Sequence, residues 1–178
     1  HARSLEKEGW QVVEDAGRGW RRVVASPRPL EVIEEGSVRA LLAANNVVVA
    51  AGGGGIPVVY NTSGELRQLQ GIYAVIDKDL ASGLLARQLG ADLLLISTGV
   101  PQIAINFNTP QQQNLSEVTV DTLEGYLREG HFAPGSMKPK VEAAIAFVRA
   151  AGKPALITMP SEIGKALAHE SGTWIMPA

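Results

Sequence analysis

The 178-residue chain contains no cysteine, only three histidines and 5% aromatic residues. Without cysteine there are no disulfides, no thiolate nucleophile and no Cys-based metal site, which fits a reducing compartment and gives a cytoplasmic expectation. His1, His131 and His169 are scattered without a metal-ligand spacing. His131, after Glu-Gly at a helix end, reads as a partner of the helix dipole rather than a base. No apolar run approaches the ~18 residues of a membrane span. The net charge is −2 and no block of like charge occurs, so neither nucleic acid nor a membrane is an expected partner. Ser97, Ser136 and Ser161 have no histidine near them in sequence, which leaves acyl transfer unsupported. The phosphate loop ending in Gly-Lys-Ser/Thr is missing, as is a dinucleotide fingerprint opening a helix.

What is present suits one compact globular domain: 46% hydrophobic and 19% charged residues in 178 can bury a sizeable core. The first residues, HARSLEKEG, resemble a helix already under way, so an upstream piece is expected. WQVVE (10–14) and RRVVAS (21–26) read as short strands around the turn AGRG, and SPRP breaks the chain. SVRALLAANN (37–46) reads as a helix with Ser37 as a possible cap, followed by VVVAA (47–51) as a strand buried on both faces. IPVVY, the turn NTSGE and the return to Gly71 predict an edge hairpin, and IYAVI (72–76) a strand.

The remainder alternates. A helix over 79–90 ends at Gly90, DLLLIST (92–98) is a strand, and TVDTLEGYLREG a helix. In PKVEAAIAFVRAAG (139–152), Val141, Ala144, Ile145 and Val148 form a buried helical stripe. PALITM is a strand, SEIGKALAHE a helix and GTWIMP a last strand. Trp10, Trp20 and Trp174 are expected to pack. Strands alternating with helices predict an α/β fold with a mostly parallel sheet covered on both faces.

Three constellations carry chemistry. Gly52, Gly53, Gly54 and Gly55 follow a predicted core strand, where ligands bind in open α/β sheets; bare amides there can wrap an anion, or the glycines are a flexible lead-in to the hairpin. Asp77, Lys78 and Asp79 stand at a strand-to-helix junction, where two carboxylates flanking an ammonium could hold Mg²⁺, orient a lysine or cap the helix. Gly135 and Ser136 precede a helix whose first turn contains Pro139 and Lys140. A cation against a helix N-terminus points to a phosphate between them, or to a solvated lysine.

The ordered series EDAGRGWRRVVASPRP (14–29), GGGGIPV (52–58), AVIDKDLAS (74–82), ADLLLISTGV (91–100), EGHFAPGSMKPKVEAAIAFV (129–148) and SGTWI (171–175) resembles the C-terminal part of carbamate kinases, in the amino acid kinase superfamily. The resemblance spans nearly the whole chain. It implies a three-layer α/β/α sandwich with its N-terminal part missing, residues 1–70 being the rear of the carbamate lobe and 71–178 the nucleotide lobe. It implies phosphoryl transfer between ATP and carbamate, giving ADP and carbamoyl phosphate, with Mg²⁺.

By the same resemblance, Gly52 to Gly55 hold the carbamoyl phosphate end, Lys78 helps hold phosphate, Asp79 organises the catalytic lysines and Lys140 neutralises the transferring group. Thr98, Gly135, Ser136 and Met137 would contact the nucleotide. A homodimer and a carbamoyltransferase partner are implied. Two residues depart from the family pattern. Thr98-Gly99-Val100 replaces Thr-Asp-Val, removing a carboxylate near the nucleotide, and Lys138 stands where glycine is common. The upstream half, with a further glycine loop and lysine, is expected to be missing, so the 178 residues alone are expected to be inactive. The competing expectation is a non-catalytic nucleotide-binding or partner-binding domain.

Overall fold

The computed structural model describes residues 2–7, 9–14, 19–61 and 68–178, which form two compact units. Most of the predicted turns AGRG and NTSGE lies outside the described residues. The first unit comprises residues 1–28 and 53–76. It holds helix α1 (Ala2–Lys7) and two antiparallel hairpins. Strand β1 (Val12–Glu14) pairs with β2 (Trp20–Arg22). Strand β3 (Val58–Asn61) pairs with β4 (Gln68–Gly71). The β3–β4 hairpin is the one expected from the sequence, but it forms its own two-stranded sheet. Trp10 and Trp20 are not core residues: both are exposed, and the Arg22 guanidinium lies 3.9 Å over the Trp10 ring, a cation–π contact at the surface.

Residues 29–52 and 77–178 make the second unit. Helix α2 (Glu35–Ala43) begins two residues before Ser37, and Glu34 occupies the cap position without a side-chain cap bond, so Ser37 is not a cap. Helix α3 (Lys78–Leu89) ends at Gly90, whose φ of 70° satisfies the left-handed C-terminal turn predicted for it. Then come strand β5 (Leu94–Ser97), hairpin strands β6 (Ile103–Ile105) and β7 (Gln113–Leu115), and β8 (Glu117–Thr119). Helix α4 (Val120–Arg128) is capped by the Thr119 hydroxyl, and helix α5 (Met137–Ala151) stops at Gly152 in the left-handed region. Strand β9 (Ala155–Thr158), helix α6 (Ile163–Leu167) and strand β10 (Thr173–Met176) complete it.

The central sheet has the order β5-β9-β10-β8. It is mixed: β5 runs parallel to β9 and β8 parallel to β10, but β9 and β10 are antiparallel. The link through α6 leaves and returns at one edge of the sheet, which reverses the last strand. Register places Leu94, Ala155, Ile175 and Val118 in one row across all four strands. With Ile96 and Ile157 this row faces Val141, Ala144, Ile145 and Val148 of α5 and Leu123 of α4, so the predicted stripe is the centre of the core. The other face is covered too. Gly172, at φ +77°, lies against Leu156 and Ala166 of α6 so closely that an added Cβ would come within 2.7 Å of the leucine. Helices on both faces of a sheet are the three-layer arrangement expected.

Two predicted strands are not strands. Residues 47–51 and 72–76 carry β-forming side chains but pair with no described strand, and Val47 and Val49 are 98% and 100% exposed. A backbone of this composition becomes a strand only when a neighbour supplies the ladder of hydrogen bonds. Conversely, β6 to β8 are three residues each, too short to stand out in the sequence, and the QQQN run falls within the β6–β7 hairpin.

Candidate active site

Helices α3 and α5 each precede one of the parallel strands β5 and β9, so both helix N-termini lie at the carboxyl edge of the sheet. Ligands of open α/β sheets gather at that edge. The first turn of α3 carries Lys78 and Asp79, and the first turn of α5 carries Lys138 and Lys140. α3 and α5 pack against each other, with Gly83 against the Ala143 carbonyl: a Cβ on Gly83 would lie 3.3 Å from that oxygen. This close packing brings the first turns into register.

Asp79 is the meeting point. Its Oδ2 accepts from the Lys140 ammonium at 2.9 Å and lies 3.5 Å from the Lys78 Nζ. The side chains of Asp79 and Lys140 are 8% and 11% exposed, whereas Lys78 is 61% exposed. One carboxylate thus holds a buried cation and a solvent-facing one. Burying an ion pair carries a large desolvation cost that good geometry only partly offsets, so such a pair is weak as a device for stability. Two ammonium groups fixed at the mouth of a helix pair suit the charge of a phosphate instead.

The helix cap that the sequence left open for Asp79 belongs to Asp77. Its Oδ1 accepts from the Asp79 and Leu80 amides at 2.8 and 3.1 Å. Asp77 is therefore engaged in capping, and one oxygen of Asp79 is engaged with lysines. Among the described residues no three His, Cys, Asp or Glu side chains cluster to hold a metal ion.

Gly135, Ser136 and Met137 form the entry to α5. Gly135 has φ +74°, Ser136 makes no side-chain cap bond to the helix and its hydroxyl donates instead to the Ala133 carbonyl at 3.4 Å, and Met137 packs against the core. Thr98 sits just beyond the carboxyl end of β5, its amide donating to the Thr158 carbonyl at 2.8 Å. The structure brings Lys78, Asp79 and Lys140 into direct contact and places Thr98 and the 135–137 entry on the same edge.

Gly52 to Gly54 form a single tight turn entered through Ala51 and Gly52, both at positive φ. A Cβ on Gly52, Gly53 or Gly54 meets nothing within 4 Å among the described residues, so packing among those residues does not account for their lack of side chains. His131 stands just past the C-terminus of α4, with its Nε2 3.2 Å from Glu129 and its ring meeting Tyr126 edge-on. Trp174 does pack, stacked on His169 at 4.3 Å and donating to the Ala166 carbonyl.

The sequence offers Asp77 and Asp79 together as possible caps, and the place of Asp77 immediately before the helix favours it. Thr158 behind the Thr98 turn is the residue that sequence reasoning passed over, and nothing in the sequence marks it.

Comparison with known proteins shows the family. Residues 4–159 match the family model of the amino acid kinase family. The chain is 50% identical over 167 residues to the carbamate kinase-like protein YahI of Escherichia coli K12, covering 94% of this chain and 52% of that protein. It is 51% identical over 170 residues to the carbamate kinase of Lentilactobacillus hilgardii, covering 96% and 52%. The carbamate kinase of Giardia lamblia bound to AMP-PNP superposes with a TM-score of 0.86 at 43% identity, covering 99% of this chain and 55% of that one. The chain spans about half the length of the curated relatives it matches. With a family match over most of its length and a shared fold at high identity, the chain belongs to the amino acid kinase family.

Proposed function

We propose that this chain is part of a carbamate kinase-like phosphotransferase that moves a phosphoryl group between ATP and carbamate, with ADP and carbamoyl phosphate as the other pair. The observation that carries the reading is Asp79 holding Lys140 at 2.9 Å and Lys78 at 3.5 Å at the carboxyl edge of the sheet. A carbamate oxygen attacks the γ-phosphorus, a new O–P bond forms, the bond to the bridging oxygen of ADP breaks, and the leaving charge stays on ADP. Little covalent work falls to the protein, so catalysis is positioning and charge stabilisation around the equatorial oxygens. Lys140 supplies a desolvated positive charge to the transferring group, Lys78 holds phosphate from the solvent side, and Asp79 keeps both ammonium groups in place.

In this reading Gly52 to Gly55 receive the carbamoyl phosphate end with bare amides, and Thr98, Gly135, Ser136 and Met137 contact the nucleotide. The nucleotide lobe is residues 71–178 and the rear of the carbamate lobe 1–70. Mg²⁺ accompanies ATP through the nucleotide's own phosphates, and no step is assigned to it. The 178 residues by themselves do not turn over, since the relatives are nearly twice as long and the β-forming segment 47–51 lacks a partner strand among the described residues. A homodimer, a cytoplasmic location and a carbamoyltransferase that exchanges carbamoyl phosphate belong to the same proposal. No helix among the described residues is long and apolar enough to cross a membrane.

The test is ATP formation from ADP and carbamoyl phosphate in a coupled assay, run on the full-length protein and on the 178 residues. Turnover by the first and not the second is expected. Nucleotide binding without any turnover by the full-length protein would overturn the enzyme reading in favour of a non-catalytic nucleotide-binding domain.

A further inference from the structure

Thr158 is the last residue of β9, fully buried, and it touches both ends of the Thr98 turn. Its carbonyl accepts from the Thr98 amide at 2.8 Å, and its hydroxyl donates to the Pro101 carbonyl at 3.2 Å. Between these anchors the chain runs Thr98-Gly99-Val100-Pro101, and among the described residues no backbone hydrogen bond closes that turn on itself. Gly99 adds the freedom of a residue without a Cβ. The shape of this segment is therefore imposed from β9 and not by its own backbone.

We propose that Thr158 is a positioning residue for nucleotide binding: by bracing Pro101 through its hydroxyl it holds the Thr98 turn in the form that receives the nucleotide. The inference rests on the reading of Thr98 as a nucleotide contact given above. The physical ground is the asymmetry of buried hydrogen bonds. A hydroxyl inside the protein must find an acceptor, and this one finds it across 57 positions of chain rather than within its own strand. Removing it leaves the Pro101 carbonyl one donor short and lets the glycine-containing turn relax.

The experiment compares Thr158→Val, which keeps the shape and loses the donor, with Thr158→Ser, which keeps the donor, in the full-length protein. Amide hydrogen exchange at residues 99, 100 and 102 is expected to quicken in Thr158→Val and to stay near the unaltered rate in Thr158→Ser. AMP-PNP affinity measured calorimetrically is expected to fall roughly 2- to 10-fold in Thr158→Val, the size of one neutral hydrogen bond, and by less than about twofold in Thr158→Ser. KM for carbamoyl phosphate stays unchanged in both, which a general loss of structure would not allow. Unchanged exchange in Thr158→Val, or equal weakening by the two variants, overturns the brace. Quickened exchange with unchanged AMP-PNP affinity overturns the link to the nucleotide and leaves the brace standing. Failure of the unaltered protein to bind AMP-PNP overturns the parent reading and this link with it. Should the valine variant not fold, Thr158→Ala gives the same comparison.

Discussion

The Lys140 ammonium lies 2.9 Å from the Asp79 carboxylate, although 61 positions of chain separate the two residues. Both side chains are close to fully buried, and each belongs to the first turn of a helix. A lysine at a helix N-terminus is electrostatically misplaced, because the dipole already presents positive charge there. Asp79 offsets that cost, and in the proposed reaction a bound phosphate would offset it as well.

Lys140→Ala in the full-length protein is expected to lower kcat for ATP formation by about two or more orders of magnitude, with nucleotide affinity changed far less. Steady-state kinetics with a separate binding measurement checks it. An effect confined to KM would assign Lys140 to ordinary ground-state binding.

Asp77 and Asp79 are expected to separate into different roles. Asp77→Ala removes the cap from α3 and should cost about 1 kcal/mol of stability in urea unfolding. Asp79→Asn keeps the side-chain volume but frees both lysines from their shared carboxylate, so kcat falls while the cap is retained. Equal kinetic behaviour of the two variants would contradict the division.

Gly172→Ala should be among the most damaging single substitutions. The added Cβ would lie 2.7 Å from the Leu156 Cδ1 and 2.9 Å from the Ala166 Cβ, at a backbone angle of φ +77° that L side chains rarely adopt. Overpacking and backbone strain together are expected to cost about 2 kcal/mol or more, read as a lower urea midpoint with an unchanged slope.

The acid sensitivity of the α4–α5 contact has a defined sign. The hydrogen bond from the Arg149 guanidinium holds the Glu124 carboxyl below its ordinary value of 4.5, and Arg149 also pairs with Asp121. A carboxyl lowered in the folded state contributes stability above its unfolded value and loses it as the pH falls through the folded value. Arg149→Met should therefore be slightly less stable than the unaltered protein at neutral pH, with the difference closing in acid and shrinking in high salt because these groups are exposed. Unfolding midpoints measured from pH 3 to pH 7 check it.

Much of the second unit was legible in the sequence because local rules governed it. Gly90 and Gly152 stop their helices in the left-handed region as glycine there predicts, and the Val141, Ala144, Ile145, Val148 stripe faces the sheet as its spacing predicts. The site was legible as a set of chemical types, two lysines and an aspartate at strand-to-helix junctions. Its wiring was not: the cap moved from Asp79 to Asp77, a choice between neighbours that depends on where the first helical amides point.

Two of the errors share one cause. Residues 47–51 and 72–76 read as strands because composition reports what a segment can do, whereas a strand exists only beside a partner. Separately, Trp10 and Trp20 are expected to pack because large rings usually do, yet both lie exposed in a small hairpin unit.

By itself, then, the sequence determined most of the helices and the strands β5, β9 and β10, which helical face is apolar and which ionisable groups stand near strand ends, because each depends on residues a few positions apart. Only the tertiary structure decided that Lys140 meets Asp79, that Thr158 braces the Thr98 turn, and that β10 runs against β9. Those contacts join residues 16 to 61 positions apart, and they are set by how α3, α5 and the strands pack, which no local pattern of side chains encodes.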